Sequence, residues 1–399
     1  SSSGSAVATA LGRVSFALGT DTAGSGRVPA AFNNLIGLKP SRGLISCSGV
    51  VPACKSLDCV SIFALSVDDA QQVLAVADGF DPNDPYSRRN RFDNGPRRFG
   101  LEQASRVIGI PRPDNLEFFG DTRAAGLYEQ AINAFTELGH GIVEVDIAPL
   151  LEAARLLYQG PWVSERYLAI EPLITRQPEA LLAEIAEIIG AGAGFTAVDS
   201  FKAAYRLQQY RRISDHLFSS IDCLLTPTTP TCFTIEQLQD DPIKLNSELG
   251  TYTNYMNLLD LAGVALPAGF LDSGVGFGIT LQAPAFSDMS LLSLANAYVD
   301  QQDLTMGATG IAMEKSANTG PAHERFVDLV VCGAHLDGMA LNWQLTERGA
   351  VMQSLTTTSA DYRLYAMNDG RPALMRDQQR GAEIEVEVWR IDKSEFGSF

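Results

Sequence analysis

The hydrophobic positions of the chain follow two different periods, one helical and one extended. Apolar residues recur at helical spacing over 121–138, which predicts a helix that Gly139 ends. Short apolar runs at 107–110 and 142–145 flank this helix and predict two strands. The order strand, helix, strand is typical of a layered α/β domain.

The same patterns predict further elements on both sides of this unit. Small residues over 1–12 indicate a helix that can approach a sheet closely, and the apolar run over 14–18 indicates a short buried strand. Ser66 and Asp69 have the spacing of a capping pair for a helix over 67–78. The elements predicted farther along are a helix over 197–219, a strand over 223–227, a strand over 275–282 and a helix over 288–300.

The pattern changes near the last quarter of the chain. Neither period continues over 311–322, where we predict a linker. Beyond it, an apolar run at 326–332 and strict alternation at 383–388 predict strands, the second of them half-buried. We therefore expect a first domain that ends at residue 310, then the linker, and a smaller, truncated β-rich domain over 323–399.

The composition is that of a folded protein with a strong negative charge. The 399 residues are 46% hydrophobic, and 30 Lys and Arg against 47 Asp and Glu give a formal charge of −17. This balance disfavours nucleic acid and a membrane surface as partners, because phosphate groups bind clustered Lys and Arg. A small anionic substrate remains compatible with it, since one buried Arg can dominate a pocket. No apolar run reaches the ~18 residues of a membrane span.

Cysteine and histidine usage indicates neither a metal site nor a disulfide scaffold. The six Cys contain no CxxC pair, and the four His are far apart in the sequence. We therefore expect no metal and no cofactor, and reduced thiols in a cytoplasmic protein. The chain begins SSSGS without an initiator Met and ends within a strand pattern, so we expect an internal piece of a longer protein.

A Ser- and Gly-rich run, GTDTAGSGR at 19–27, has the clearest chemical content. The backbone N–H groups of Thr22, Ala23 and Gly24, with that of Ser25, can form an oxyanion hole, and Ser25 can act as a nucleophile. A turn without chemistry is the alternative. No His lies within about a hundred residues of Ser25 and no GxSxG run occurs, so a Ser-His-Asp triad has no support.

Three runs in order, SSSGS at 1–5, GTDTAGSGRVPA at 19–30 and GLKP at 37–40, make the chain resemble the amidase signature family. The resemblance implies an α/β/α layered domain with a mixed central sheet and a Ser-Ser-Lys triad. Ser25 matches the nucleophile, and Ser1 matches the serine on a cis peptide bond that relays the proton. The family's Lys lies upstream of these motifs and outside this sequence, so we expect the chain as written to be inactive.

Charged residues near the nucleophile match no further catalytic role. Asp21 and Arg27 flank Ser25, and they either fix the loop or form a simple ion pair. Lys39 belongs to the GLKP turn, and neither Lys39 nor Lys55 matches the family's catalytic Lys.

Further runs narrow the resemblance to the allophanate hydrolases within that family. These runs are VPACKSLDCVSIFA at 51–64, GTYTN at 250–254, GATG at 307–310, VCGAHL at 331–336 and LNWQL at 341–345. The resemblance covers nearly the whole chain and both predicted domains.

The implied substrate, allophanate, is a small anion whose carboxylate needs a cation with fork geometry. By the same resemblance, Tyr158 and Arg166 hold that carboxylate. Gly160 and Pro161 break the helix between them, which can turn both side chains into a pocket. The alternative is that Arg166 pairs with Glu165 or with another surface acid.

The C-terminal domain of the family is linked to a later decarboxylation, and His335 is our candidate there. We predict that His335 lies on a strand edge beside Gly333, where a His can act as an acid or base near neutral pH. The alternative is a buried His hydrogen-bonded to the backbone. Asn342 and Tyr365 are candidate companions. This small domain also resembles the γ-glutamyl cyclotransferase type of fold.

We therefore expect an enzyme that hydrolyses allophanate to ammonia and N-carboxycarbamate, which loses CO2 and a second ammonia, in urea or cyanurate nitrogen catabolism. A homodimer and a urea carboxylase partner or fusion are the expected assembly. Two alternatives stay open at this point. One is a general amidase or the A-type component of an amidotransferase, and the other is an inactive scaffold.

Overall fold

The computed structural model divides the chain into two units, and each is described separately below. One unit takes in Ser1–Asn90 with Arg98–Ser316, and the other takes in Arg91–Arg97 with Ala317–Phe399. The described residues are 2–100, 105–313, 326–367 and 372–397.

A mixed sheet forms the centre of the first unit, whose described residues contribute eight strands to it. These are β1 (Phe16–Thr20), β2 (Ile36–Lys39), β3 (Val60–Ala64), β4 (Val107–Pro111), β5 (Gly141–Val145), β6 (Cys223–Pro227), β7 (Leu261–Phe270) and β8 (Gly276–Pro284). Their spatial order is β1-β3-β2-β7-β8-β6-β4-β5. Strand β4 is parallel to β5 and β6, and the other neighbours are antiparallel. The predicted mixed sheet is confirmed.

Helices cover both faces of this sheet. The described helices of the unit are α1 (Ser3–Ala10), α2 (Val28–Phe32), α3 (Val67–Ala77), α4 (Thr122–Glu137), α5 (Ala148–Gln159), α6 (Trp162–Arg176), α7 (Ala183–Gly190), α8 (Ala197–Leu217), α9 (Ile235–Asp240), α10 (Pro242–Leu249) and α11 (Asp288–Gln301). On β6, Cys223 and Leu225 pack into the core beneath α3, α4 and α11, while Leu224 packs into the core beneath α5 and α8. Successive strand residues point to opposite faces, so the unit has the predicted α/β/α layers.

Most predicted elements of this unit are confirmed to within a few residues, and one was misjudged. The run over 14–18 was expected to be a buried strand, yet β1 is shifted toward the C-terminus and Phe16 and Leu18 are 45% and 47% exposed. The reason is that, among the described strands, β1 forms the edge of the sheet and has β3 as its single neighbour.

Strand β7, by contrast, was not predicted. Its sequence LAGVALPAGF is apolar at nearly every position, because the strand lies inside the sheet with side chains buried on both faces. Such a strand shows no alternation from which its period could be recognised.

The second unit is rich in β-structure, as predicted. Its described strands are β9 (Phe326–Val331), β10 (Val351–Thr357), β11 (Tyr362–Ala366), β12 (Pro372–Arg376) and β13 (Glu385–Asp392), with short helices α12 (Trp343–Thr346) and α13 (Lys393–Phe396). The sheets have the orders β10-β13-β9 and β11-β12. The strand predicted over 383–388 is shifted toward the C-terminus as β13.

The predicted linker over 311–322 lies mostly outside the described residues, so the proposed domain boundaries remain a prediction. Its first residues are described, and Ala312 pairs with Thr305 in an antiparallel bridge of the first unit. In the part of the chain that the structure describes, no helix is long and apolar enough to cross a membrane.

Candidate active site

The nucleophile candidate Ser25 lies in the turn that connects the edge strand β1 to the short helix α2. Pro29 in the first turn of α2 has a fixed φ that suits the start of a helix. Backbone bonds from the Arg27 and Val28 amides to the Gly24 carbonyl close the turn, at 2.9 and 2.8 Å. The partly buried Ser25 is thereby presented just before the helix begins.

A buried ion pair fixes the two ends of this turn. Asp21 accepts from Nε and Nη2 of Arg27 at 2.8 and 2.9 Å, and both side chains are fully buried. Its carboxylate also accepts from the Gly26 amide at 3.2 Å. Burial acts to raise the pKa of Asp21, but the charge and hydrogen bonds of Arg27, the Lys39 charge and the Gly26 amide together outweigh it and hold that pKa below the ordinary value. Asp21 and Arg27 therefore form an ion pair that also fixes the loop.

The backbone between Asp21 and Gly26 leaves its donors available. Among the described residues, the N–H groups of Thr22, Ala23, Gly24 and Ser25 have no protein acceptor. Gly24 has φ +139°, and a Cβ there would lie 2.5 Å from Oγ1 of Thr253. This position requires glycine for its conformation and for the approach of Thr253. Consecutive unpaired amides of this kind can hold a developing oxyanion.

A cavity of about 270 Å³ opens beside these amides. Its lining includes Ala23, Gly24, Ser25, Tyr158, Thr253 and Asn254. The structure thus places the predicted nucleophile, two predicted oxyanion residues and the predicted Tyr158 around one space. Such a volume suits a small substrate.

Tyr158 and Arg166 stand on either side of the helix break predicted at Gly160 and Pro161. Helix α5 ends just before the break and α6 begins just after it. The Cζ of Arg166 lies 4.8 Å from the centroid of the Tyr158 ring. Arg166 itself does not line the cavity, whereas the Tyr158 ring does and is 41% exposed.

The guanidinium group of the half-buried Arg166 has two nitrogens that are unpaired in the described part of the chain. Its Nε and Nη2 atoms are buried and have no hydrogen-bond partner among the described residues. The alternative pairing with Glu165 is not what the structure shows, because the Glu165 carboxylate accepts from Ser56 at 2.6 Å and from Cys54 at 3.1 Å. Buried polar nitrogens without hydrogen-bond partners are costly, so an anionic ligand for these two atoms is expected.

The relay residue predicted at Ser1 lies outside the described residues, and so does the cis peptide bond implied there. The next residue, Ser2, is described, and its Oγ accepts from the Thr20 amide at 3.1 Å. Lys39 ends strand β2 rather than lying in a turn, and its Nζ donates to the Leu261 carbonyl at 2.7 Å. Burial lowers the pKa of Lys39. Its amine is bound to main-chain carbonyls in the core, as expected of a structural residue.

In the second unit, His335 lies after β9 has ended, in a single turn over Gly333–His335. The prediction that His335 lies on a strand edge is therefore wrong. Its Nε2 is 3.1 Å from Oε1 of Gln344, and its carbonyl accepts from Nδ2 of Asn342 at 3.0 Å. Tyr365 lies on β11 and donates to Asp377 at 3.3 Å. Asn342 is thus beside His335, whereas no described contact joins Tyr365 to it.

Sequence reasoning assigned no role to several polar residues that surround the turn. Thr253 and Asn254 line the cavity, and Asp58 accepts from Thr22 Oγ1 at 2.5 Å. Nδ2 of the buried Asn257 donates to the Asp21 carbonyl at 2.6 Å. The available signal was a polar residue inside an otherwise apolar run, as Asn257 is between Met256 and Leu258.

Two protein-family models match successive parts of the chain. The model of the family described as "Amidase" matches residues 1–292, and the model described as "Allophanate hydrolase C-terminal domain" matches residues 327–399. Urea amidolyase from Saccharomyces cerevisiae is 42% identical over 417 residues, covering 100% of this chain and 22% of that protein. The chain thus spans about a fifth of the length of that relative.

Solved structures extend the comparison to the fold. Allophanate hydrolase from Kluyveromyces lactis is 40% identical, with a TM-score of 0.77, over 99% of this chain and 66% of that one. A more distant relative by sequence, the A-type component of glutamyl-tRNA(Gln) amidotransferase from Azotobacter vinelandii, is 31% identical and covers 76% of this chain and 67% of its own.

Proposed function

The chain belongs to the amidase family and carries an allophanate hydrolase C-terminal domain, and from this we propose that it hydrolyses allophanate. The observation that carries the proposal is the cavity that joins Ser25, its unpaired amides and Tyr158, with the unpartnered guanidinium of Arg166 behind that ring. A small substrate with an amide at one end and a carboxylate at the other has the complementary chemistry.

Ser25 is the proposed nucleophile. Its Oγ attacks the terminal amide carbon of allophanate, and the carbonyl oxygen gains charge that the amides of Thr22–Ser25 stabilise. Ammonia leaves, water then attacks the acyl-serine ester, and N-carboxycarbamate is released. The proton of Ser25 passes through Ser1 to the Lys that precedes these motifs in the family. These relay roles rest on the family resemblance.

Arg166 and Tyr158 are proposed to hold the substrate carboxylate. A guanidinium presents parallel N–H groups that match both carboxylate oxygens, and its two buried unpaired nitrogens are satisfied by that contact. The exposed Tyr158 ring lines the cavity beside Arg166, and its hydroxyl is the proposed second donor to the carboxylate. This pair is what separates an enzyme for an anionic urea derivative from a general amidase.

The second unit is proposed to serve the later step, in which N-carboxycarbamate loses CO2 and yields a second ammonia. His335 is the proposed acid or base there, with Asn342 fixing its backbone. The match to the allophanate hydrolase C-terminal domain supports this assignment. The same match disfavours the amidotransferase A-type alternative. The relatives of that type align with only 76% and 75% of this chain.

We further propose a cytoplasmic homodimer that takes part in urea degradation, fused to or acting with a urea carboxylase. The name of the yeast relative, urea amidolyase, and the 22% of its length that this chain spans support the fusion.

The experiment that tests the proposed function is an ammonia-release assay on the full-length protein with allophanate, acetamide and urea. We expect allophanate to be hydrolysed far faster than the neutral amides. Ser25→Ala should lower kcat by at least about 10³-fold, as removal of a catalytic nucleophile does. Equal turnover of acetamide would instead indicate a general amidase, and no turnover of any substrate would indicate a scaffold.

A further inference from the structure

The loop over 53–58 connects the two parts of the proposed substrate site. We propose that it is a rigid spacer, held on one side by Asp58 and on the other by Glu165, which fixes the distance between Arg166 and the oxyanion amides. In this proposal Asp58 and Glu165 are positioning residues that set the length of substrate the site accepts. The inference rests on the proposed function, because it assigns the carboxylate subsite to Arg166.

One end of the loop is bonded to the nucleophile turn. Oδ1 of Asp58 accepts from Oγ1 of Thr22 at 2.5 Å and from the Cys54 amide at 3.1 Å, and Oδ2 accepts from the Ala53 amide at 3.0 Å. The carboxylate of Asp58 is buried, and it therefore joins the start of the loop to the first oxyanion residue. Hydrogen bonds to a buried charged acceptor are stronger than neutral ones.

A second bond reinforces that end. Nδ2 of Asn257 donates to the Leu57 carbonyl at 2.8 Å and to the Asp21 carbonyl at 2.6 Å. The main chains on either side of the Asp58 contact are thus joined through one buried side chain. Movement of the loop relative to the turn would break several buried hydrogen bonds together.

The middle of the loop is bonded to helix α6, one residue before Arg166. Oε1 of Glu165 accepts from the Ser56 amide at 2.6 Å. Oε2 accepts from the Ser56 hydroxyl at 2.6 Å and from the Cys54 thiol at 3.1 Å. Burial and the Glu165 charge raise the pKa of the Cys54 thiol, which stays protonated and able to donate.

These contacts have a second consequence for the neighbouring cation. Glu165 is the acid nearest to Arg166 in sequence, and the loop binds both of its carboxylate oxygens. Nε and Nη2 of Arg166 therefore have no hydrogen-bond partner among the described residues and remain available to a substrate anion. The helix dipole favours an acid in the first turn of α6 regardless of which partners its carboxylate has. The dipole therefore does not account for the three hydrogen bonds from the loop to Glu165.

The test uses two substrates that differ only in length. Malonamate replaces the central N–H of allophanate with a methylene and keeps its length, whereas succinamate is one methylene longer. In the full-length protein we expect malonamate to be preferred. Glu165→Gln removes the charge that holds the loop, so the KM for malonamate should rise about tenfold and its preference over succinamate should fall about tenfold, with kcat within about twofold.

Two further variants keep the result interpretable. Ser56→Ala removes one donor to Glu165 and should give a smaller change of the same kind, which matters if Glu165→Gln fails to fold. Glu171→Gln changes an exposed acid on the same helix and should leave both quantities unchanged. Unchanged KM and preference in folded Glu165→Gln and Ser56→Ala would overturn the spacer. A wild-type protein that hydrolyses acetamide as well as malonamate would overturn the proposed function and the spacer with it.

Discussion

At the scale of single residues, the site is built from side chains that a buried ion pair and a glycine hold in place. Asp21 and Arg27 close the turn around Ser25 without contact with solvent. Gly24 takes a backbone angle that other residues rarely adopt. The chemical identity of the nucleophile and the shape of the turn are therefore set by different residues.

The charge of Asp21 is expected to contribute several kcal/mol to the free energy of unfolding. Asp21→Asn should lower the free energy of unfolding by about 3–5 kcal/mol, because it leaves the Arg27 charge buried without a partner. Urea denaturation measures this. Glu152→Gln is the control, since Glu152 pairs with Arg155 at 3.2 Å on the surface and should cost no more than about 0.5 kcal/mol. Equal effects of the two variants would contradict the role given to the buried pair.

The sequence indicated which residues carry the chemistry better than it indicated which side chains hold them in place. The run at 19–27 was enough to indicate Ser25 and its amides, because glycines and a serine in that order limit what the turn can do. The roles of Asp58 and Glu165 were not foreseen, since their partners Thr22 and Ser56 are far away in sequence and only tertiary packing brings them together.

At the scale of elements, the parallel unit β4-α4-β5 shows why some predictions were secure. Its helix has a single apolar stripe, an Asp121 cap that accepts from the Ala124 amide, and Gly139 with φ +86° beyond its end. Strand β7 has none of these local signals, since it is buried on both faces. Elements with local start and stop signals can be located from sequence, and those defined by their neighbours cannot.

Helix α4 should gain stability from a single substitution. Gly126 lies in its interior, and a Cβ there would meet no atom within 4 Å. Gly126→Ala should raise the free energy of unfolding by about 0.5–1 kcal/mol, because alanine loses less backbone entropy. Thermal unfolding of the variant and the wild type measures this change. Gly24→Ala is the contrasting variant and should lower stability, because a Cβ there would meet Thr253. A loss of stability in Gly126→Ala would mean that α4 is not regular at this position.

The turn between α4 and β5 should make stability depend on pH. Nδ1 of His140 accepts from the Arg106 amide at 3.2 Å, and burial, then the Arg106 charge, lower the pKa of His140 below 6.5. The unfolded chain therefore binds this proton more readily than the folded protein. The contribution is complete above the unfolded pKa and is lost as the pH falls from 6.5 through the lowered folded pKa.

Urea denaturation between about pH 7.5 and pH 5.5 checks this. The free energy of unfolding should fall with decreasing pH more steeply in the wild type than in His140→Gln. Identical slopes in the two proteins would contradict the assignment to His140.

At the scale of the whole molecule, two units of different architecture occur in one chain, and we propose that they catalyse successive steps. The first holds the nucleophile turn and its cavity, and the second holds His335 on a separate framework of β9, β10 and β13. The composition and the break near 311–322 were enough to expect two parts. The pairing of strands in the second part was not predictable, because its exposed strands show little contrast between faces.

If the units divide the reaction, His335→Ala should affect only the later products. The first ammonia should be released from allophanate at the wild-type rate, whereas CO2 and the second ammonia should appear more slowly. Simultaneous recording of ammonia and CO2 in the full-length protein distinguishes the steps. Product ratios and rates equal to those of the wild type would exclude a role for His335 in decarboxylation.

The central claim is that this amidase recognises an anion through Arg166, and one ratio tests it most directly. The measurement is kcat/KM for allophanate divided by kcat/KM for acetamide, in the full-length wild type and in Arg166→Ala. We expect the variant to lose about 10²-fold on allophanate and little on acetamide, because only the anion loses its charged partner. An unchanged ratio would contradict the claim and would place the specificity elsewhere in the site.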